Sequence, residues 1–199
     1  MKTQILTIFS ALVLVTGIAN SAHAATPKTQ NAIVLNDVSA INKIEIRGNV
    51  ELYISDGATD EVKVYNKYYA ESALVQSKNG VLRITSYNTE KLVVWVTAND
   101  LRTVSAYDNA EVKSFGKLSK IEFDVDLHNS SSAKLNLDVY AANVTLADHA
   151  KADLTGTANE LKLSHDIATS VNNYNFTAVH ITDNKIGVPS VTAGDLAEL

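Results

Sequence analysis

A quasi-period of about 19 residues runs through the second half of the chain and limits what it can fold into. Apolar pairs recur as Val104/Ala106, Val125/Leu127, Val144/Leu146, Leu161/Leu163 and Val179/Ile181, their starts 21, 19, 17 and 18 residues apart. A second apolar set, Val112, Leu135, Leu154 and Val171, falls ten residues after the start of a pair in three of its four instances. This period is too short for a helical-hairpin repeat or a propeller blade. It fits one coil of a β-solenoid whose faces stack about 4.8 Å apart. Each coil holds only a few small aliphatics, so it must draw its stability from its neighbours.

The first half reads as strands of period 2: Ile44-Glu45-Ile46, Val50 to Ile54, Val62 to Tyr65, Leu74 to Gln76, Val81 to Ile84 and Leu92 to Val96. Asp56-Gly57 and Asn79-Gly80 are turn dipeptides, because Gly accepts positive φ without penalty. Lys67 to Ala73 has room for one helical turn, but no window of twelve or more residues carries a capped 3.6-residue pattern. The expected fold is therefore all-β, a single-stranded parallel β-helix (β-solenoid) with about 17–21 residues per coil, spanning residues 41–189.

Each coil carries a polar corner between its two apolar sets. In the register of the apolar pairs, Asp108, Asn129, Asp148, His165 and Asp183 form one column, a ladder along one edge. Asp, Asn and Ser are expected at such corners because their side chains satisfy turn backbone groups. The same column is the candidate binding edge. In it His165 lies between Asp148 and Asp183, a set that suits a divalent cation, and an acidic edge also invites comparison with polysaccharide-cleaving β-helices. Against both, His128, His149, His165 and His180 occupy different offsets, and Lys113, Lys134, Lys151 and Lys162 are scattered. No Gly-x-Ser-x-Gly elbow, phosphate loop or dinucleotide fingerprint is present. No catalytic residue, no metal ligand and no cofactor is assigned; a carbohydrate-active or metal-dependent enzyme using the Asp/His edge is the competing reading.

Aromatics gather in the first half at Tyr53, Tyr65, Tyr68, Tyr69, Tyr87 and Trp95, with Tyr107 close after. Tyr53, Tyr65 and Trp95 read as cross-strand packing. Tyr68 and Tyr69 are adjacent, so on a strand one of them faces solvent, and the pair is a candidate contact surface.

Residues 1–24 stand apart. Lys2 gives a positive start, Ile5 to Ile18 is apolar, and Ala22-His23-Ala24 is a small-x-small cleavage pattern. This reads as a secretory signal peptide, too short and too interrupted for a membrane span. Residues 25–40 form a polar leader and residues 190–199 a tail, both candidate caps for the open ends of a solenoid. Removing residues 1–24 takes the net charge from −5 to −6. With no basic run there is no electrostatic footprint for nucleic acid or an anionic membrane, and no later stretch is apolar enough to span one. The chain has no Cys, which excludes disulfides, thiol chemistry and a lipidated N-terminal cysteine. An exported fold of this kind is held by packing and hydrogen bonds alone.

Several segments resemble the autotransporter-adhesin head GIN domains of exported bacterial proteins, over roughly Ile41 to Val188. Ile44-Glu45-Ile46-Arg47-Gly48-Asn49-Val50-Glu51-Leu52 is similar to the opening strand pair of that family, Asp56-Gly57 to its first turn and Asn79-Gly80-Val81-Leu82-Arg83-Ile84 to its G-x-L-x-I strand. Leu101-Arg102-Thr103-Val104-Ser105-Ala106 resembles the segment leading into the repeats. The family's Gly-Ser-Gly-like corners are replaced here by Asp-Asn-Ala, Ser-Ser-Ala and Asp-His-Ala. The resemblance implies a right-handed β-helix at or near the cell envelope and no established activity. The expectation is an exported, non-catalytic adhesion or ligand-binding module, periplasmic or extracellular, whose partner is an envelope protein, a surface glycan or a second copy of the chain.

Overall fold

Among the described residues there are thirteen strands and no helix. The structure, a computed structural model, describes residues 32–35, 38, 40–65 and 73–187. The expected signal peptide over residues 1–24, most of the expected leader, the 67–72 part of the expected helical turn and the 190–199 tail lie outside them. In chain order the strands are β1 (Ile33–Leu35), β2 (Lys43–Gly48), β3 (Val50–Asp56), β4 (Glu61–Val64), β5 (Ala73–Lys78), β6 (Val81–Ser86) and β7 (Leu92–Ala98). They continue as β8 (Thr103–Tyr107), β9 (Glu111–Ser114), β10 (Leu118–Leu127), β11 (Ser132–Leu146), β12 (Lys151–Asp166) and β13 (Ser170–Ile186).

The period-2 alternation becomes alternating burial. In β7, Leu92, Val94, Val96 and Ala98 are buried while Val93, Trp95 and Thr97 are half-buried on the other face. Through the middle of the sheet all pairing is parallel. One ladder sets Leu82, Ile44, Val104, Val125, Val144 and Leu163 side by side. A second ladder aligns Val94, Leu52, Val112, Ala133, Ala152 and Val171. The long strand β11 belongs to both, meeting β9 through Ser132 to Lys134 and β10 from Leu137 onward. Nearly every member of these columns is buried, so the core is a set of aliphatic rows with Phe123 its largest side chain.

Three local findings refine the expectations. Leu163, not Leu161, lies beside Val144, and Leu161 pairs with Ala142 instead. A strand shifted by two residues keeps every side chain on its original face, so an apolar pattern alone does not distinguish the two registers. Asp56-Gly57 does not close a hairpin, because β7 inserts between β3 and β4. Asn79-Gly80 does join β5 to β6, with φ of 51° and 78°. Within the expected leader, Ile33–Leu35 forms a strand antiparallel to β4.

Candidate functional site

The corner column is a hydrogen-bond ladder. Asp108, Asn129 and Asp148 sit at φ of 61°, 60° and 60°, in the left-handed region that Asp and Asn tolerate through local hydrogen bonding. Each side chain accepts from the backbone of the preceding corner: Gly48 N–H donates to Asp108 Oδ2 (3.1 Å), Asp108 N–H to Asn129 Oδ1 (3.2 Å) and Asn129 N–H to Asp148 Oδ2 (2.9 Å). The next acceptor is Asp166 Oδ2, which takes the Asp148 N–H at 3.2 Å. The Tyr87 hydroxyl donates to Asp108 Oδ2 as well. These oxygens staple consecutive corners together, one oxygen of each side chain serving as the acceptor.

His165 and Asp183 lie elsewhere. His165 pairs with Leu146 and Lys185, at a row position that Ala106, Leu127 and Leu146 fill in earlier coils. Its Nε2 meets Asp183 Oδ1 at 3.0 Å, and its Nδ1 is 3.3 Å from Thr169 Oγ1. Asp183 pairs with Leu163, so the aliphatic row ends there in a carboxylate. His128 stacks flat on Tyr107, with ring centroids 4.8 Å apart and planes at 6°, and the Arg47 guanidinium covers the other face of Tyr107 at 3.8 Å. Among the described residues no group of three or more His, Asp or Glu side chains is arranged to hold a metal ion. Tyr68 and Tyr69 lie outside the described residues.

A different surface gathers recognition chemistry. Strand register sets Lys63, Trp95, Tyr53, Lys113, Lys134, Asp153 and Asn172 in one row across the sheet, on the face away from the core. Tyr53 and Trp95 stack at 4.7 Å and 19°, Tyr65 meets Trp95 edge-on at 6.4 Å, and Phe115 closes the group at 4.9 Å. Phe115 is 60% exposed and leaves an apolar surface open to solvent. The Tyr53–Trp95 stack is the cross-strand packing expected of these strands, and Phe115 is an addition that the alternating pattern does not mark. The available signal was that Val50 and Leu92 both open alternating strands, and three residues further on each strand carries its aromatic.

Charges tie the row together. The Lys113 ammonium donates to Glu51 and also pairs with Glu111, which in turn holds Lys91. At Glu51 burial opposes the charge, but the Lys113 ammonium and the Tyr53 hydroxyl outweigh it and keep the carboxyl below its ordinary value. The Lys91 hydrogen bond does the same for Glu111, and the Glu51 hydrogen bond raises Lys113. Beside this network runs a groove of about 280 Å³, lined by Lys113, Lys134, Lys151, Asp153, Ser132 and Asn172 among others.

A family model described as "Putative auto-transporter adhesin, head GIN domain" matches residues 40–192. The chain belongs to the head GIN domain family. Among curated proteins none matches this head GIN domain in sequence. A "putative adhesin" from Bacteroides fragilis shares its fold at a TM-score of 0.69 and 16% identity, over 79% of this chain and 77% of that one. A "putative adhesin" from Parabacteroides distasonis reaches 0.63 at 14% identity, over 78% and 77%. A "putative lipid binding protein" from the same species reaches 0.60 at 9%, over 78% of each chain.

Chemically, this head GIN domain offers two kinds of edge. The corner ladder commits one oxygen of each side chain to a backbone donor of the neighbouring corner, whereas the Trp95 row leaves an aromatic edge, ammonium groups and amides facing solvent. Polar groups placed around an apolar platform are what a small polar ligand needs for orientation.

Proposed function

We propose that this head GIN domain is an exported, non-catalytic binding module of the cell envelope, and that it takes a surface glycan on the face around Trp95. The observation that carries the reading is the row itself: Tyr53, Trp95 and Phe115 give an apolar platform, and Lys134, Lys151, Asp153 and Asn172 stand beside it with donors and acceptors for hydroxyl groups. A sheet face of parallel strands holds these groups at fixed spacing, which lowers the ordering cost of binding. Membership in an adhesin-named family supports the same reading, and so does the signal-peptide pattern of residues 1–24 for export. Among the described residues no helix is long and apolar enough to cross a membrane. Parallel ladders spaced 19 to 21 residues apart support a single-stranded β-solenoid as the finer architecture, and the family resemblance implies a right-handed one.

The test uses the chain from Ala25 onward on a glycan array and against envelope fractions. Binding is expected, and Phe115→Ala and Lys134→Ala are each expected to weaken it several-fold while leaving the melting temperature near that of the parent. Both positions are exposed, so lost binding with an intact fold isolates the face. No association with any glycan or envelope fraction overturns the reading.

A further inference from the structure

The last strand, β13, is the longest in the protein at 17 residues, and among the described residues it pairs only with β12. Its other backbone edge therefore presents a row of hydrogen-bonding groups with strand geometry. Soluble proteins guard such edges with charge. Strand β12 carries Lys151, Asp153, Glu160, Lys162 and Asp166, but β13 carries only Asp183 and Lys185, and Asp183 is already engaged by His165. Apolar side chains are open along it instead: Tyr174 is 92% exposed, Val179 68%, Ile181 54% and Ile186 52%. One protective device is present, an irregularity opposite Leu154 that leaves Asn173 and Tyr174 out of register. It guards the beginning of the strand and leaves Phe176 to Ile186 regular.

We propose that two copies of this chain pair edge to edge and antiparallel through Phe176 to Ile186, forming a two-fold symmetric dimer. Charge favours a second copy as the occupant of this edge. A strand with one positive and one negative group is neutral and self-compatible, although the whole chain carries −5. Antiparallel pairing centred on Ile181 sets Phe176 of one copy opposite Ile186 of the other and Thr177 opposite Lys185, and no like charges face each other. A symmetric contact of this kind closes on itself, so the edge is consumed without building a fibre. The parallel ladder ends at the dimer axis because the strand direction reverses there. The dimer stands whether or not the Trp95 face takes a ligand.

The test is sedimentation velocity on the chain from Ala25 onward over a hundredfold concentration range, with parallel runs of the V179K/I181K double variant. Both side chains are more than half exposed, Ile181 at the end of the row through Phe123, Ala142 and Leu161, so the variant adds charge along the edge, and circular dichroism and the melting temperature confirm that it folds. A concentration-dependent dimer is expected for the parent, with a dissociation constant raised about tenfold or more in the variant. A parent that stays monomeric throughout overturns the proposal, whichever segment then covers β13. A dimer unaffected in the folded variant overturns it equally.

Discussion

The two ends of the sheet meet the same problem, an unpaired strand edge, in opposite ways. At the β6 end the chain turns through Asn79-Gly80, and β5 lies antiparallel over β6; at β7 the antiparallel strand β4 does the same and the three-residue β1 finishes it. These closing strands are three to six residues long. At the other end β13, 17 residues long, continues the parallel ladder on β12 with one register shift near its start and stops. A parallel coil offers the next strand the same template it received, so stacking contains no signal to end. A hairpin reverses the strand direction within a few residues and does end it. Each solution leaves its mark on the row inside it. Ile84 is buried with Val75 of β5 beside it, whereas Leu163, also one strand in from its edge, lies beside the Asp183 carboxylate.

The strongest way to break this comparison is to remove one side chain at each end. Ile84→Ala is expected to cost about 4 kcal/mol in urea unfolding, because a hole sealed by β5 and β2 relaxes poorly. Leu163→Ala deletes a residue of similar size and is expected to cost about 2 kcal/mol, since water reaches a cavity that adjoins Asp183. Equal costs mean that β13 seals the core as well as β5 does.

Glycine positions sharpen the contrast further. Gly156 in β12 has φ of 109°, and a Cβ there runs into the Leu137 carbonyl oxygen. Gly156→Ala is therefore expected to destabilise by about 3 kcal/mol, from backbone strain plus the clash. Gly187 follows β13 at φ of 85°, and a Cβ there would have no neighbour within 4 Å, so Gly187→Ala meets strain alone, about 1 kcal/mol. Matching thermal shifts for the two substitutions count against a tightly packed interior and an open end.

How much of this was legible in the sequence depends on which physical rule each feature obeys. The stacked rows through Val104, Val125 and Val144 follow from apolar spacing, because burial repeats with the coil. The Leu161/Leu163 choice does not, since a two-residue slip preserves facing, and backbone pairing over the whole of β12 decides it. For that reason Asp108, Asn129 and Asp148 form the predicted column, while His165 falls in the row of Leu146 and Asp183 in the row of Leu163. Strand β1 is too short to show a period. The Tyr53 and Trp95 stack needed knowledge of which strands are neighbours, which local pattern does not contain, as 42 residues separate the two.

The smallest expected effect is acid loosening confined to the half that holds the ion network. Glu45, Glu51 and Glu111 all have carboxyls held below their ordinary value of 4.5, Glu45 chiefly by the Lys43 hydrogen bond. A group depressed in the folded state binds its proton more readily when unfolded. Its stabilisation is therefore complete above the ordinary value and is lost as pH falls through the folded one. The lysines are partly exposed, so the whole contribution is expected to stay below about 1 kcal/mol. Trp95 is the only tryptophan in the chain and stacks on Tyr53, whose hydroxyl donates to Glu51, so its fluorescence reports on this network directly. Below the ordinary carboxyl value, the Trp95 signal is expected to change before the global unfolding transition, and Glu51→Gln is expected to remove part of that early change. Coincident Trp95 and circular-dichroism transitions in acid instead mean that the two halves unfold as one unit, with no weaker half for the network to protect.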